Sequence, residues 1–145
     1  MKMSSAFLLL VLLFVSGLAT GQRQQRQKWK RSYEKFKKKH IINNMTENDC
    51  NHVMKNRSIF VYVKRVRMCK PKNTFILAQP KEMVKSICKG QRNKKIRSKK
   101  GFHIVECVLF DGSNVFNCRY EGKHMEKKIT VKCEGGSPVH YEGDI

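Results

Sequence analysis

The chain has 145 residues, and its 31 Lys and Arg against 11 Asp and Glu give a formal net charge of +20 at pH 7. This length leaves room for one domain. The positive surplus predicts a polyanionic partner: nucleic acid, a heparan-type glycosaminoglycan or an anionic membrane.

The first 21 residues have the pattern of a secretory signal peptide. A positive start is followed by an apolar run from Ala6 to Val15, and Ala19 and Gly21 have the spacing that signal peptidase prefers. The run is too short to span a bilayer, and a buried core helix is its alternative interpretation. We predict cleavage before Gln22, which would leave a secreted, extracellular domain of residues 22–145.

The next residues predict the first helix. Residues 22–31 are rich in Gln, Arg and Lys and are expected to be frayed. Four side chains then recur at helical spacing and predict a short helix with one apolar face: Trp29, Tyr33, Phe36 and His40.

Two further helices are predicted. Thr46 with Asp49 three residues later has the form of a capping box, which predicts a helix from Glu47 to about Asn56. Pro80 suits the first turn of a third helix, which should end near Cys88.

The remaining segments read mainly as strands. Residues 59–66 are rich in β-branched and aromatic side chains and predict a strand. Residues 89–100 are expected to form a polar, basic loop. Four further strands are predicted at 102–110, 115–120, 128–133 and 139–141, with a turn at Asp111-Gly112 between the first two. Three helices and several antiparallel strands predict an α+β domain.

Six cysteines lie after the predicted cleavage site, and an even number in an exported chain predicts three disulfides. They are Cys50, Cys69, Cys88, Cys107, Cys118 and Cys133. The sequence alone leaves 15 connectivities open. Because no CxxC pair occurs, a zinc site is not expected, and the sequence calls for no metal or other cofactor.

Three ionisable residues are the candidate catalytic groups: His40, Lys70 and His140. Two imidazoles can serve as general base and general acid near neutral pH. One ammonium can stabilise the charge that builds on a phosphoryl group. That trio suffices to cleave RNA without a metal, although any one of these residues alone also fits an ordinary surface position.

The segment Cys69–Phe75, CKPKNTF, resembles the CKxxNTF signature of the pancreatic-type ribonuclease superfamily. The order of His40, this signature and Val139-His140 is also similar to that family. The resemblance implies a ribonuclease A-like fold, with three short helices on a bent antiparallel sheet. It implies three disulfides: Cys50–Cys107, Cys69–Cys118 and Cys88–Cys133. The lack of a fourth disulfide and the basic stretch Asn93–Lys100 resemble the angiogenin-like members.

The resemblance implies an endoribonuclease that cleaves RNA on the 3′ side of pyrimidines. His40 would take the proton of the 2′-hydroxyl, Lys70 would stabilise the phosphoryl oxygens, and His140 would protonate the leaving 5′-oxygen, giving a 2′,3′-cyclic phosphate. Five substrate-binding positions are implied: Lys39, Asn73, Thr74, Tyr141 and Glu142. Thr74 would read the pyrimidine. Lys39 stands where the family usually has Gln, and Glu142 where it usually has Asp, so modest activity is expected.

Two alternatives from other classes remain open. One is a cationic host-defence protein that acts on anionic bacterial membranes without catalysis. The other is a growth factor that binds heparan-type polyanions or a cell-surface receptor. The basic clusters 64–67 and 94–100 suit either alternative, RNA binding or a solvated face. We expect a monomer. Further hypotheses are antimicrobial and angiogenic roles, nuclear uptake in target cells, and N-glycosylation at Asn44 or Asn56.

Overall fold

The computed structural model describes the backbone of residues 5–144 and the side chains of residues 17–143. Its α-helices are α1 (Ser5–His40), α2 (Cys50–Asn56) and α3 (Glu82–Lys85). Its strands are β1 (Ile41–Ile42), β2 (Phe60–Val63), β3 (Val66–Cys69), β4 (Lys72–Leu77), β5 (Lys94–Arg97), β6 (Phe102–Asp111), β7 (Arg119–Lys127), β8 (Ile129–Glu134) and β9 (Ser137–Asp144). The predicted α+β class is confirmed. Among the described residues, no helix is both long and apolar enough to cross a membrane.

Helix α1 is longer than the sequence suggested. It runs without a break from Ser5 through the predicted cleavage site to His40, and the predicted positive start of the signal peptide lies outside the described residues. The expectation that residues 22–31 are frayed is wrong, because this segment is helical. Gln, Arg and Lys are good helix formers, and no proline or glycine interrupts them after Gly21.

The second helix begins at its predicted cap. Thr46 and Asp49 form the capping box, in which the Thr46 amide donates to the Asp49 carboxylate at 2.7 Å. A 3-10 turn over Glu47–Asp49 leads into α2, which ends at Asn56 as predicted. The third helix is shorter than expected: α3 continues into a 3-10 turn over Ser86–Cys88.

The strands form three sheets. The largest sheet has the order β1-β4-β6-β7, in which β1 is parallel to β4 and the other pairs are antiparallel. A second sheet has the order β5-β8-β9, and β2 with β3 forms a separate hairpin. All pairs in these two sheets are antiparallel.

Two strand predictions and one loop prediction need correction. The strand expected over residues 59–66 turns back at Lys64 and Arg65, which have φ values of 49° and 67°, so the segment starts a hairpin. The expected loop over 89–100 contains β5, because β8 provides an edge with which it pairs. The strand expected over 115–120 is mostly loop. The Asn114 carboxamide accepts the Phe116 amide there, and β7 begins only at Arg119.

Two hydrophobic clusters and three disulfides hold these layers together. One cluster joins α1 to β8 and the inner face of β4, and the other joins α2 to β6. The disulfides are Cys50–Cys107, Cys69–Cys118 and Cys88–Cys133. This is the pairing that the family resemblance implied, so that prediction is confirmed.

Candidate active site

One open cleft of about 600 Å³ lies between the end of α1, strand β4 and strand β9. All eight predicted catalytic and substrate-binding residues line it: Lys39, His40, Lys70, Asn73, Thr74, His140, Tyr141 and Glu142. These positions come from segments far apart in the sequence. The fold therefore brings the predicted residues together.

His40 is the last residue of α1 and is held by the strands that follow. Ile41 and Ile42 pair with Ile76 and Leu77 of β4, which places His40 beside Thr74. The Nδ1 atom of His40 lies 2.8 Å from the Thr74 carbonyl oxygen. A carbonyl oxygen can only accept a hydrogen bond, so Nδ1 carries the hydrogen.

The surroundings of His40 favour its neutral form. Burial is the main cause that lowers its pKa from 6.5 to about 4, and the nearby cations of Lys70 and Lys39 and the imidazole of His140 lower it further. The bond to Thr74 opposes this shift and raises the pKa. A neutral ring whose Nδ1 carries the hydrogen has its lone pair on Nε2, which is the form that a general base requires.

Lys70 is positioned by a short polar chain. Its Nζ donates to Oδ1 of Asn73 at 2.8 Å, and Nδ2 of Asn73 donates to the Lys39 carbonyl at 2.8 Å. Asn73 is 2% exposed, so both ends of its carboxamide are used inside the protein. Burial, followed by the charge of Lys39, lowers the pKa of Lys70.

His140 is carried by β9, at the opposite side of the cleft from β4. Its ring is exposed, whereas its neighbour Val139 is buried, as expected for alternating positions of a strand. The Tyr141 ring stacks on His40, with centroids 5.3 Å apart and an interplanar angle of 29°. The carboxylate of Glu142 pairs with Lys95 of β5, at 3.4 Å.

Sequence reasoning missed three residues that position this site. Arg57 of the loop after α2 donates to the Ile41 carbonyl at 2.7 Å and to the Lys38 carbonyl at 3.0 Å, and so fixes the end of α1. The Tyr120 hydroxyl donates to the Lys70 carbonyl at 2.7 Å. Lys95 is the partner of Glu142. Arg57 and Tyr120 belong to no catalytic motif, and Lys95 was noted only as part of the basic stretch Asn93–Lys100. Tertiary contacts, not local sequence, bring these side chains to the cleft.

The turn before β9 also fixes the position of His140. Gly135 and Gly136 have φ values of 60° and 77°, which glycine adopts without strain. A Cβ atom on Gly135 would overlap the ring of Trp29, so this turn packs closely against α1. Helix α1 and strand β9, which carry the two imidazoles, are thereby joined.

The cleft can therefore accept a proton at one imidazole and present a second imidazole and an ammonium to the same bound group. Among the residues described, no group of three or more His, Cys, Asp or Glu side chains is placed to hold a metal ion. All the chemical groups just named are supplied by side chains.

Comparisons with known proteins agree on one family. The family model for pancreatic ribonuclease matches residues 31–142. Ribonuclease-like 3 of Danio rerio is 34% identical over 142 residues, which cover 93% of this chain and 92% of that protein. Pancreatic ribonuclease of Mus pahari is 33% identical over 152 aligned residues, which cover 95% and 96% of the two chains.

Solved structures agree with these relatives. The X-ray structure of zebrafish RNase5 matches with a TM-score of 0.71 and 29% identity, and covers 80% of this chain and 96% of its own. Nearly the whole length of that protein thus matches four-fifths of this one. The zebrafish protein therefore folds without a counterpart of the remaining fifth of this chain.

Proposed function

The chain belongs to the pancreatic ribonuclease family, and on that premise we propose that it is a secreted, metal-independent endoribonuclease that cleaves RNA on the 3′ side of pyrimidines. The single observation that carries this proposal is the meeting of His40, Lys70 and His140 in one cleft, with His40 in the neutral form of a base.

In the first step, Nε2 of His40 takes the proton from the ribose 2′-hydroxyl. The freed oxygen attacks the adjacent phosphorus, and negative charge builds on the phosphoryl oxygens. The bond of Nδ1 to Thr74 supports this role, because it orients the ring and fixes its tautomer.

The ammonium of Lys70 stabilises the developing charge. Its bond to Asn73 holds it in place before the substrate arrives, and such preorganised donors are among the most effective catalytic devices. We assign Asn73 a positioning role, since its carboxamide is buried and engaged by Lys70 and Lys39. Lys39 adds a second cation at the cleft for phosphate binding.

Protonated His140 gives its proton to the departing 5′-oxygen. The products are a 2′,3′-cyclic phosphate and a free 5′-hydroxyl. In the second step the roles reverse: His140 takes a proton from water, the water oxygen attacks phosphorus, and His40 returns its proton to the 2′-oxygen. Tyr141 contributes backbone contacts to the phosphate. Glu142 is held at the cleft by its ion pair with Lys95.

Pyrimidine selection is assigned to Thr74, whose hydroxyl can both donate and accept a hydrogen bond. Thr74 lies on the cleft wall and is 3% exposed, which suits a fixed reader of one base. DNA offers the same phosphates but lacks the 2′-hydroxyl nucleophile, so it should bind without being cut.

The proposal is tested with an RNA oligonucleotide of purines that contains one uridine, in the presence of EDTA. We expect a single cut after the uridine and a 2′,3′-cyclic phosphate end, which mass spectrometry identifies. The matched control carries 2′-deoxyuridine at that position and should stay intact. Cleavage of the control, or loss of activity in EDTA, would contradict the proposal.

The signal peptide over residues 1–21 and the angiogenin-like subtype stay predictions. So do the monomeric state, antimicrobial and angiogenic roles, and nuclear uptake.

A further inference from the structure

The β2–β3 hairpin, residues 60–69, stands apart from the other sheets and exposes apolar side chains. Nine large hydrophobic side chains are exposed among the described residues, and four of them lie in this hairpin. They are Tyr62 (68% exposed), Val63 (51%), Val66 (61%) and Met68 (47%). Such a concentration on a secreted, highly charged domain marks an interaction surface.

These apolar side chains occupy both faces of the hairpin. Val63 lies opposite Val66, while the next pair along the ribbon, Tyr62 and Arg67, points to the other face. The face with Tyr62 continues into the loop after β6, because Arg67 lies between the rings of Phe60 and Phe116, at 4.6 and 5.5 Å. A flat protein partner would cover only one of these faces.

The tip of the hairpin is cationic and strained. Lys64 and Arg65 form the two-residue turn, and both have left-handed φ values that favour Asn and Gly. Residues 60–69 contain no Asp or Glu. Strained residues that persist at an exposed tip point to a function for those side chains, and two adjacent cations are complementary to clustered phosphates.

We propose that this hairpin docks the protein on anionic lipid bilayers. The Lys64–Arg65 tip would contact lipid phosphates, and the valines and Tyr62 would enter the interfacial layer. A hairpin that enters the interfacial layer of a bilayer tip first has lipid against both faces of its ribbon. Tyrosine side chains are enriched in that layer. RNA is a poorer match for the whole hairpin: the rings on the Tyr62 face could stack on bases, but Val63 and Val66 on the other face cannot. A protein interface would instead tend to exclude lysine from its centre.

This docking surface is separate from the cleft, since none of the hairpin residues before Lys70 lines it. Docking and RNA cleavage can therefore be lost independently. The test uses the chain from Gln22, which leaves out the apolar run of the predicted signal peptide, and vesicles of phosphatidylcholine with or without a quarter of phosphatidylglycerol.

The first variant is Lys64→Asn with Arg65→Gly, which creates an Asn-Gly turn. This turn suits the observed φ values, so the hairpin should fold at least as well as before. Loss of two surface cations should weaken binding to the anionic vesicles about 30-fold at low salt. The matched control, Lys99→Gln with Lys100→Gln, removes the same charge from another surface and should cost about threefold or less.

A second variant, Val63→Thr with Val66→Thr, keeps the shape and strand preference of both side chains but adds hydroxyls. We expect binding to fall on the order of tenfold, and RNA cleavage by every variant to stay within about twofold of wild type. In Tyr62→Trp, the added fluorescence should shift to the blue with anionic vesicles and be quenched by lipids brominated in their acyl chains.

Equal weakening by the tip pair and the Lys99/Lys100 pair would overturn the proposal, because binding would then depend on overall charge. Unchanged vesicle binding by the threonine variant would overturn it as well. If the hairpin variants instead lost affinity for RNA and kept their vesicle binding, the hairpin would belong to the RNA path.

Discussion

In the pH profile of kcat/KM for RNA cleavage, replacing Lys39 with glutamine should shift the fall in activity on the acid side to higher pH. The base, His40, works only when it is neutral, and its pKa is lowered to about 4 by burial together with the charges of Lys70 and Lys39. Removing one of these charges raises that pKa. Because burial is the larger cause, the limb should move only part of the way to the ordinary value of 6.5.

The size of the effect follows from the two pKa values. A histidine with a pKa of about 4 is roughly nine-tenths neutral at pH 5, whereas one at 6.5 is only about 3% neutral. The fraction of His40 in the neutral, active form at pH 5 thus differs about 30-fold between these two pKa values. Protonation of His40 should therefore leave wild-type kcat/KM nearly undiminished down to pH 5, whereas at that pH it should lower the kcat/KM of the Lys39→Gln variant.

The assay is kcat/KM against pH with a short dinucleotide substrate, because this ratio reports the pKa values of the free enzyme. Lys38→Gln is the matched control: it removes the same charge from the adjacent residue, which does not contribute to the pKa shift of His40. A wild-type acid limb near pH 6.5, or equal displacement by both variants, would refute this reasoning.

The remaining predictions concern stability and binding. Because the folded-state pKa of His40 lies below the unfolded value, the unfolded chain takes up a proton first as pH falls. Between pH 6.5 and 4 the free energy of unfolding of the wild type should therefore decline by up to about 3 kcal/mol more than that of His40→Asn, as measured by urea unfolding. The same pH dependence of stability in both proteins would disprove this. Replacing both Cys88 and Cys133 with alanine opens a loop of sequence separation 45 and should cost about 4 kcal/mol in the same assay; a loss below about 1 kcal/mol would contradict the entropic argument. Single-stranded RNA should bind inactive His140→Ala with a log–log salt slope of roughly −3 to −4, for about four to six phosphate contacts. DNA should give a similar slope, and a slope near zero would remove the cationic cleft from the RNA path.

The local motifs carried most of the site. CKPKNTF and the two histidine segments predicted eight residues that the fold gathers in one cleft. These motifs work because each fixes residue types at a short spacing. The capping box at Thr46 was readable for the same reason.

Long-range pairing limited the rest. Strand β5 was predicted as part of a polar loop because ten of the twelve residues 89–100 are charged or polar. Only its pairing with the edge of β8 makes it a strand. The β2–β3 turn was not predicted, because Lys64 and Arg65 occupy the two positions where Asn-Gly is the usual sequence signal of such a turn. The roles of Arg57, which holds the end of α1, and of Lys95, which pairs with Glu142, likewise arise from tertiary contacts that no local motif indicates.

The most direct test of the mechanism compares two substrates in EDTA. One is a uridine-containing dinucleotide, whose leaving 5′-oxygen needs a proton, and the other is uridine 3′-(4-nitrophenyl phosphate), whose leaving group departs without one. With the dinucleotide, both His40→Ala and His140→Ala should lose at least about a hundredfold in kcat/KM. With the nitrophenyl ester, His140→Ala should recover to within about tenfold of wild type, while His40→Ala should stay impaired, because only the base is still required. Equal impairment of His140→Ala on both substrates, or unchanged cleavage by both variants, would contradict the assignment of His40 as base and His140 as acid.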